Sequence, residues 1–364
     1  MISILDRYLT KELIGPFVFG IAAFTCILAG STILFQMIGE AIKYGIPWLK
    51  LLQIIVYKMP NIIVFTFPMS MLLSSIITFG RLSSDLEIMA FRAGGVSFAR
   101  LVVPVVAVGL VVSLMTIWFN ESIVPRATYS AEKLFRSFSE KDQPKLKKNI
   151  NFTEYDGQGM PLRIINVLEI ENGDLRHITV AEYDHGSLSR LIRAEHGAWV
   201  DSGGWAFQEG TMYVFPVENP EKAIFMVFDK EVIDIKINPL DLTSRPKSVE
   251  EMTSKELKKS IEFQRQTGRD PINDILRFHM KFSVPFASLI FAILGAAVGV
   301  RPHRSSSALG LGISLVIILV YYVLISVGMG LGLSHAIPAW VAAWMPNLVV
   351  GGAALILLRK VSSQ

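Results

Sequence analysis

The chain has 364 residues, of which 51% are hydrophobic and only 18% charged, a low charge content that agrees with a membrane protein. Its formal net charge of +4 is too small to argue for nucleic acid. A lone cysteine, Cys26, excludes a disulfide framework within the chain.

In chain order, Arg7 and Lys11 come first, ahead of an apolar run over residues 14–38. That run is longer than the roughly 7–15 residues of a signal-peptide core, so it reads as an uncleaved first span. Further runs follow at 51–79 and 101–119, and then at 282–300, 308–333 and 338–358. Each is about as long as the roughly 20 residues a helix needs to cross a bilayer's hydrocarbon core. The pattern predicts a polytopic α-helical membrane protein with six transmembrane helices in a three-plus-three arrangement. Residues 1–119 carry spans one to three, 120–280 form a polar insert, and 281–364 carry spans four to six. Trp118, Phe119, Trp340 and Trp344 fit an interfacial aromatic belt at one side.

The insert reads as β-rich. Strand-like runs lie at 162–170, 175–183, 188–200, 205–215 and 223–237, the first two flanking Asn172-Gly173, a preferred type I′ hairpin turn. Antiparallel strands with no helices between them predict a sandwich or jelly roll. After Pro239 the pattern changes. Thr253-Ser254-Lys255-Glu256 fits a capping box that opens a helix to about Gln266, stopping at Gly268. A helix also continues out of span three to about Phe138, so the β domain stands on two helical stalks.

Basic residues set an expected orientation. With the N-terminus inside, Arg7, Lys11, Arg81, Arg92, Arg100, Arg301, Arg304, Arg359 and Lys360 all fall on the cytoplasmic side. The insert then lies outside, in the periplasm of a double-membraned bacterium, and both termini are cytoplasmic.

No nucleotide-binding P-loop, no His-Glu-x-x-His and no histidine cluster at metal-ligand spacing occurs. Nor is a carboxylate found deep in a span, as a proton-driven carrier would need. The chain is expected to be no enzyme and to hold no cofactor, with energy supplied by a partner. The loop between spans two and three has the residues for that contact. Ser84 or Asp85 is placed to cap a short helix over 84–92, with Leu86, Met89 and Ala90 on one face and Gly94-Gly95 as its stop. Such a helix suits a groove on a soluble partner, or equally a place flat on the lipid surface.

The segment Glu87-Ile88-Met89-Ala90-Phe91-Arg92-Ala93-Gly94-Gly95 resembles the signature after span two in the LptF/LptG (YjgP/YjgQ) lipopolysaccharide-export permeases. The resemblance extends to Asp6-Arg7-Tyr8-Leu9, Phe67-Pro68-Met69, the stretch 252–268, Arg277-Phe278-His279-Met280-Lys281 before Pro285, and Arg301-Pro302-His303-Arg304. It implies a periplasmic β-jellyroll domain between the two membrane halves. It also implies an ABC transporter permease that extracts lipopolysaccharide from the inner membrane and passes it to a periplasmic jellyroll bridge protein. A cytoplasmic ABC ATPase dimer would bind the ATP, and a second permease subunit, sister or self, would complete the cavity. On this resemblance Glu87, with Asp85 and Arg92, couples to the ATPase. Lys43 stands in the place of a family lysine that meets the anionic head group; Arg126, Lys133 and Arg136, on the stalk at a similar height, suit either that head group or ordinary interfacial anchoring. Another span-one lysine of the family falls on Gln36 here. Two other functions fit the residues less fully. One is a membrane-anchored β-domain scaffold; the other is a mechanotransmitting permease for a different lipid or lipoprotein.

Overall fold

The computed structural model describes residues 4–139, 147–155, 161–171, 174–184, 187–200, 204–216, 223–233, 247–266, 270–300 and 307–363. Asn172-Gly173, Pro239, Gly268, Arg301-Pro302-His303-Arg304 and the expected end of the fifth strand at 237 lie outside them. The chain groups into two compact units, one comprising Met1–Leu134, Val249–Lys258 and Ile272–Gln364, the other Phe135–Ser248 and Lys259–Pro271.

The first unit is helical. Helix α1 (Ile4–Leu28) passes through a π-helical stretch, Ala29–Leu34, into α2 (Phe35–Tyr44). Then come α3 (Trp48–Ser84), the short α4 (Glu87–Ala93), α5 (Phe98–Ser122) and α6 (Val124–Ser139). After the insert, α7 (Ser254–Gln266) precedes α8 (Ile272–Gly299), α9 (Ser307–Leu333) and α10 (Ala339–Ser363). Among the described residues, six helices are long and apolar enough to cross a membrane. The first begins ten residues earlier than the apolar run suggests. Polar partners hold its charged start helical: Arg100 binds Asp6 through two bonds of 2.6 and 2.9 Å, and Arg81 pairs with Glu12 at 2.6 Å.

Helix α3 is the axis of this unit. Its most apolar window is 78% buried, against 22% for α1 and 17% for α9. One face of α3 contributes Phe67, Met71, Phe79 and Leu82 to a core shared with α1, α4 and α5. The other contributes Met69, Leu72, Leu73 and Ile76 to a core shared with α8, α9 and α10. Helix α8 approaches α3 through Gly295 and Gly299. A Cβ added at Gly295 would meet the Ser75 Cβ at 2.6 Å and the Leu72 carbonyl oxygen at 2.8 Å. Gly-x-x-x-Gly spacing puts two such openings on one helix face, the usual device for close helix contact in lipid. In α9, Gly328 and Gly332 likewise face Ala342, whereas Gly312 and Gly330 open onto free space. Hydroxyl and amide groups add cross-links. Ser74 Oγ donates to the Leu13 carbonyl at 2.7 Å, and buried Asn347 joins Ser283 of α8 to Tyr321 of α9.

The second unit holds a six-stranded antiparallel sheet in sequential order: β1 (Lys147–Tyr155), β2 (Pro161–Glu171), β3 (Asp174–Asp184), β4 (Ser187–Val200), β5 (Gly204–Val214) and β6 (Ile224–Ile233). Sequence reading expected five strands and missed β1. The described strands form a meander. Register aligns Ile165, Val180, Ile192 and Met212 in one row and Val167, Ile178 and Ala194 in the next, so alternate residues of four strands build one apolar face. The same register sets Arg163 and Arg190 on either side of buried Glu182, each guanidinium Nε 2.7 Å from a different carboxylate oxygen.

If the α3–α8 seam carries the helical unit, filling it must cost stability. Gly295→Ile should destabilise the protein by about 1–3 kcal/mol or more through overpacking, while Gly312→Ile should change little. Thermal unfolding of both variants in detergent, followed by near-UV dichroism, measures the difference.

Candidate functional site

The loop between α3 and α5 builds the first cluster of interest. Ser84 is the last residue of α3, and Asp85 closes that helix with its N–H on the Arg81 carbonyl at 2.9 Å. Neither caps α4, which corrects the expected start. The reversal is made by Leu86, held in the left-handed region at φ 61°, and α4 begins at Glu87. A leucine there is strained, and only tight packing around the turn sustains it. Ile88 supplies that packing by entering the core of α1, α3 and α5. Leu86, Met89 and Ala90 remain exposed, as the expected apolar face requires, with Leu86 at 61% and Met89 at 66%. Asp85 and Arg92 are exposed as well.

Glu87 is held from an unexpected direction. The Tyr8 hydroxyl of α1 donates to its Oε2 at 2.8 Å. With the Asp6–Arg100 and Glu12–Arg81 pairs, this makes three polar ties between the start of α1 and the segment around α4. Sequence reasoning missed the role of Tyr8, because 79 residues separate it from Glu87. The available signal was charge. Asp6 and Glu12 are acidic residues at the bundle end where Arg81 and Arg100 gather, so partners there were to be expected.

The cationic residues occupy two other elements. Lys43 lies in the last turn of α2, exposed, with its Nζ 5.1 Å from the centre of the Tyr44 ring. Gln36 also belongs to α2. Arg126, Lys133 and Arg136 lie along α6 at spacings of seven and three residues, which place them on one helix face. Arg126 and Lys133 are exposed, Arg136 half-buried. Lys58 of α3 reaches Glu132, midway along α6, at 3.7 Å.

Comparison with known proteins gives the family of the chain. The model of one family, described as lipopolysaccharide export system permease LptF/LptG, matches residues 7–360. Among curated proteins, none matches the chain. The family match takes in Tyr8, Lys43, Glu87 and all six apolar helices from near the start of α1 to the last turn of α10. A match over nearly the full length carries the architecture with it, six spanning helices interrupted by one antiparallel β domain. The chain therefore belongs to the LptF/LptG family of lipopolysaccharide export system permeases.

Proposed function

We propose that this permease works as one of two membrane subunits of an ATP-driven exporter, and that α4 receives the force of ATP hydrolysis from a cytoplasmic ABC ATPase dimer. The observation that carries this reading is the surface of α4. Glu87 heads a short helix at a bundle end rich in arginine, where Met89 of the helix and Leu86 of the turn before it are exposed. An acidic residue beside bare apolar side chains suits a groove on a soluble protein better than a lipid surface. A lipid-lying helix would favour Lys or Arg around its apolar face. The arginines at this end argue that it faces the cytoplasm, with both termini inside and the β domain outside. The chain itself holds no cofactor on this reading; ATP binds to the partner.

Tyr8 gives the force a route. A push on Glu87 pulls on the start of α1, one of the two least buried spanning helices and so among the easiest to displace. Lys43, Arg126, Lys133 and Arg136 then meet the phosphates of the lipopolysaccharide as it leaves the membrane, before a periplasmic jellyroll bridge protein accepts it. The second permease subunit, a sister or a second copy, closes the cavity around the acyl chains.

Purification of the full chain from its native membrane, with and without Glu87→Ala, tests the central claim. An ATPase should come down with the wild type and bind at least about tenfold more weakly to the variant, as expected for loss of a buried interfacial charge. If no ATPase accompanies the wild type, the exporter mechanism fails and a scaffold role replaces it. Tyr8→Phe should retain the ATPase within about threefold, since the carboxylate survives, yet lower lipid-stimulated ATP turnover in nanodiscs by about tenfold through loss of a hydrogen bond to a charged group. Unchanged turnover would show that α1 is not on the route. Replacing Lys43, Arg126, Lys133 and Arg136 together by Gln should reduce photo-cross-linking to radiolabelled lipopolysaccharide at least about threefold; equal cross-linking would remove these residues from the path.

A further inference from the structure

At the opposite end of the helical unit, a cavity of about 250 Å³ opens between α3, the α5–α6 junction, the 3-10 turn Val249–Glu251 and α8. None of its lining residues comes from α1 or α9. Its polar members converge from three helices at one level. On α3, Asn61 stands 20 residues before Arg81; on α5, Asn120 stands 20 residues after Arg100. At 1.5 Å per residue each interval spans about 30 Å, the thickness of a bilayer's hydrocarbon core. Arg81 and Arg100 mark one boundary by their ion pairs with Glu12 and Asp6, so Asn61 and Asn120 mark the other. Lys281 lies at the same level, its backbone carbonyl 3.5 Å from the Asn120 amide nitrogen.

The lining divides by polarity. Val64, Phe65 and Val284 follow one turn deeper than Asn61 and Lys281, while Arg277 lies one turn further out, on the same face of α8 as Lys281. Lys281 is committed: it donates to the Met252 carbonyl and stands 4.0 Å from Glu121, which in turn accepts from the Ser254 N–H and hydroxyl at 2.8 Å each. Arg277 is not. Its Nη1 is 3.5 Å from Glu250 Oε1, and its buried Nε has no hydrogen-bond partner. A buried guanidinium N–H without an acceptor is costly, and the fork of an arginine matches a phosphate best.

We propose that this cavity binds the phosphate of a membrane lipid head group, with Arg277 as its principal donor. The volume is too small for a whole lipid and suits a phosphodiester with its glycerol. The acyl chains leave along Val64, Phe65 and Val284 into the hydrocarbon. The phosphate belongs either to a resident phospholipid or to a phosphorylated glycolipid such as the family exports. This proposal is independent of the reading of α4, because binding here involves neither Glu87 nor Tyr8, and ATPase co-purification is expected to survive the variants below.

The test titrates the delipidated full chain in a neutral detergent with dioleoylphosphatidylglycerol, with bisphosphorylated lipid A and with neutral galactosyl diacylglycerol, reading bound lipid by native mass spectrometry. Arg277→Gln should weaken binding of a phosphate-bearing lipid at least about tenfold, as expected for losing a charge-assisted hydrogen bond, and leave the neutral lipid unchanged. Loss confined to phosphatidylglycerol identifies a phospholipid site, loss confined to lipid A a glycolipid site, and loss of both a general phosphate site. Equal binding of all three lipids to wild type and variant overturns the proposal, as does an equal loss of the neutral lipid. Should Arg277→Gln fail to fold, Arg277→Lys, which keeps the charge but lacks the Nε donor, and Asn61→Leu carry the same comparison.

Discussion

Apolar helices in lipid gain nothing by hiding apolar surface from one another, so the helical unit depends on how closely two of its helices can approach. The seam of α3 and α8 meets that constraint with absence of side chain, at Gly295 and Gly299 against the backbone of Leu72 and Ile76. Once the two backbones touch, α3 has faces left for everything else. One face takes α1, α5 and the anchor residue Ile88 of α4; the other takes α9 and α10. The position of α4 and the walls of the phosphate cavity are consequences of that contact, since both are hung on α3.

Helices α1 and α9 are attached by different means. Helix α9 rests on α10 through Gly328 and Gly332 and is fixed at its middle by Tyr321 and Asn347, leaving Val316, Leu319, Val320 and Val323 bare. Helix α1 is stitched by polar groups over its first half, Asp6, Tyr8 and the carbonyls of Glu12 and Leu13, and beyond them Gly20 lies close against Ser70. In its second half Phe24 enters the core with Met69 and Leu72, and Thr25 meets Thr66 at 3.4 Å before the π-helical stretch begins at Ala29. A π-helical turn inserts one residue and rotates the face beyond it, which often marks a functional site. A permease needs a frame that stays and helices that move. Here close-packed glycines join α3 to α8, while α1 adds polar ties at its start to the buried Leu9, Leu13 and Phe24.

Much of this was legible in the residues, for physical reasons that differ from element to element. The six spans were readable because hydrocarbon thickness imposes a length, and the capping box of α7 because Thr253 and Glu256 satisfy each other locally, at 2.8 and 3.3 Å. Strand β1 escaped because Lys147-Lys148-Asn149 and Thr153-Glu154 dilute its apolar alternation, and its identity depends on pairing with β2. The start of α4 was misplaced because Ser84 and Asp85 have the chemistry of caps, whereas the turn is made by Leu86, whose left-handed backbone no propensity anticipates. Of the candidate site, Glu87 was visible from its motif. Tyr8, Arg277 and the cavity were not, since each exists only where distant segments meet.

The two ends of α3 put these features into relation. From Asn61 to Ser84 is 23 residues, about 35 Å of helix, so α4 and the cavity stand on opposite sides of the membrane without any shared side chain. What they share is α3 itself and the helices packed on it. Glu121, Ser254 and Lys281 lock the α5–α6 junction to the start of α7 and to α8, while Ile88 locks α4 to α3 and α5. A lipid phosphate seated on Arg277 would add an acceptor to an already braced corner and stiffen it. That favours a static role for the cavity, fixing the level of α3, α5 and α8 in the bilayer. Helix α1 contributes no wall to the cavity, and its tie to Glu87 is the hydrogen bond from Tyr8, so the proposed force route and the cavity share no residue.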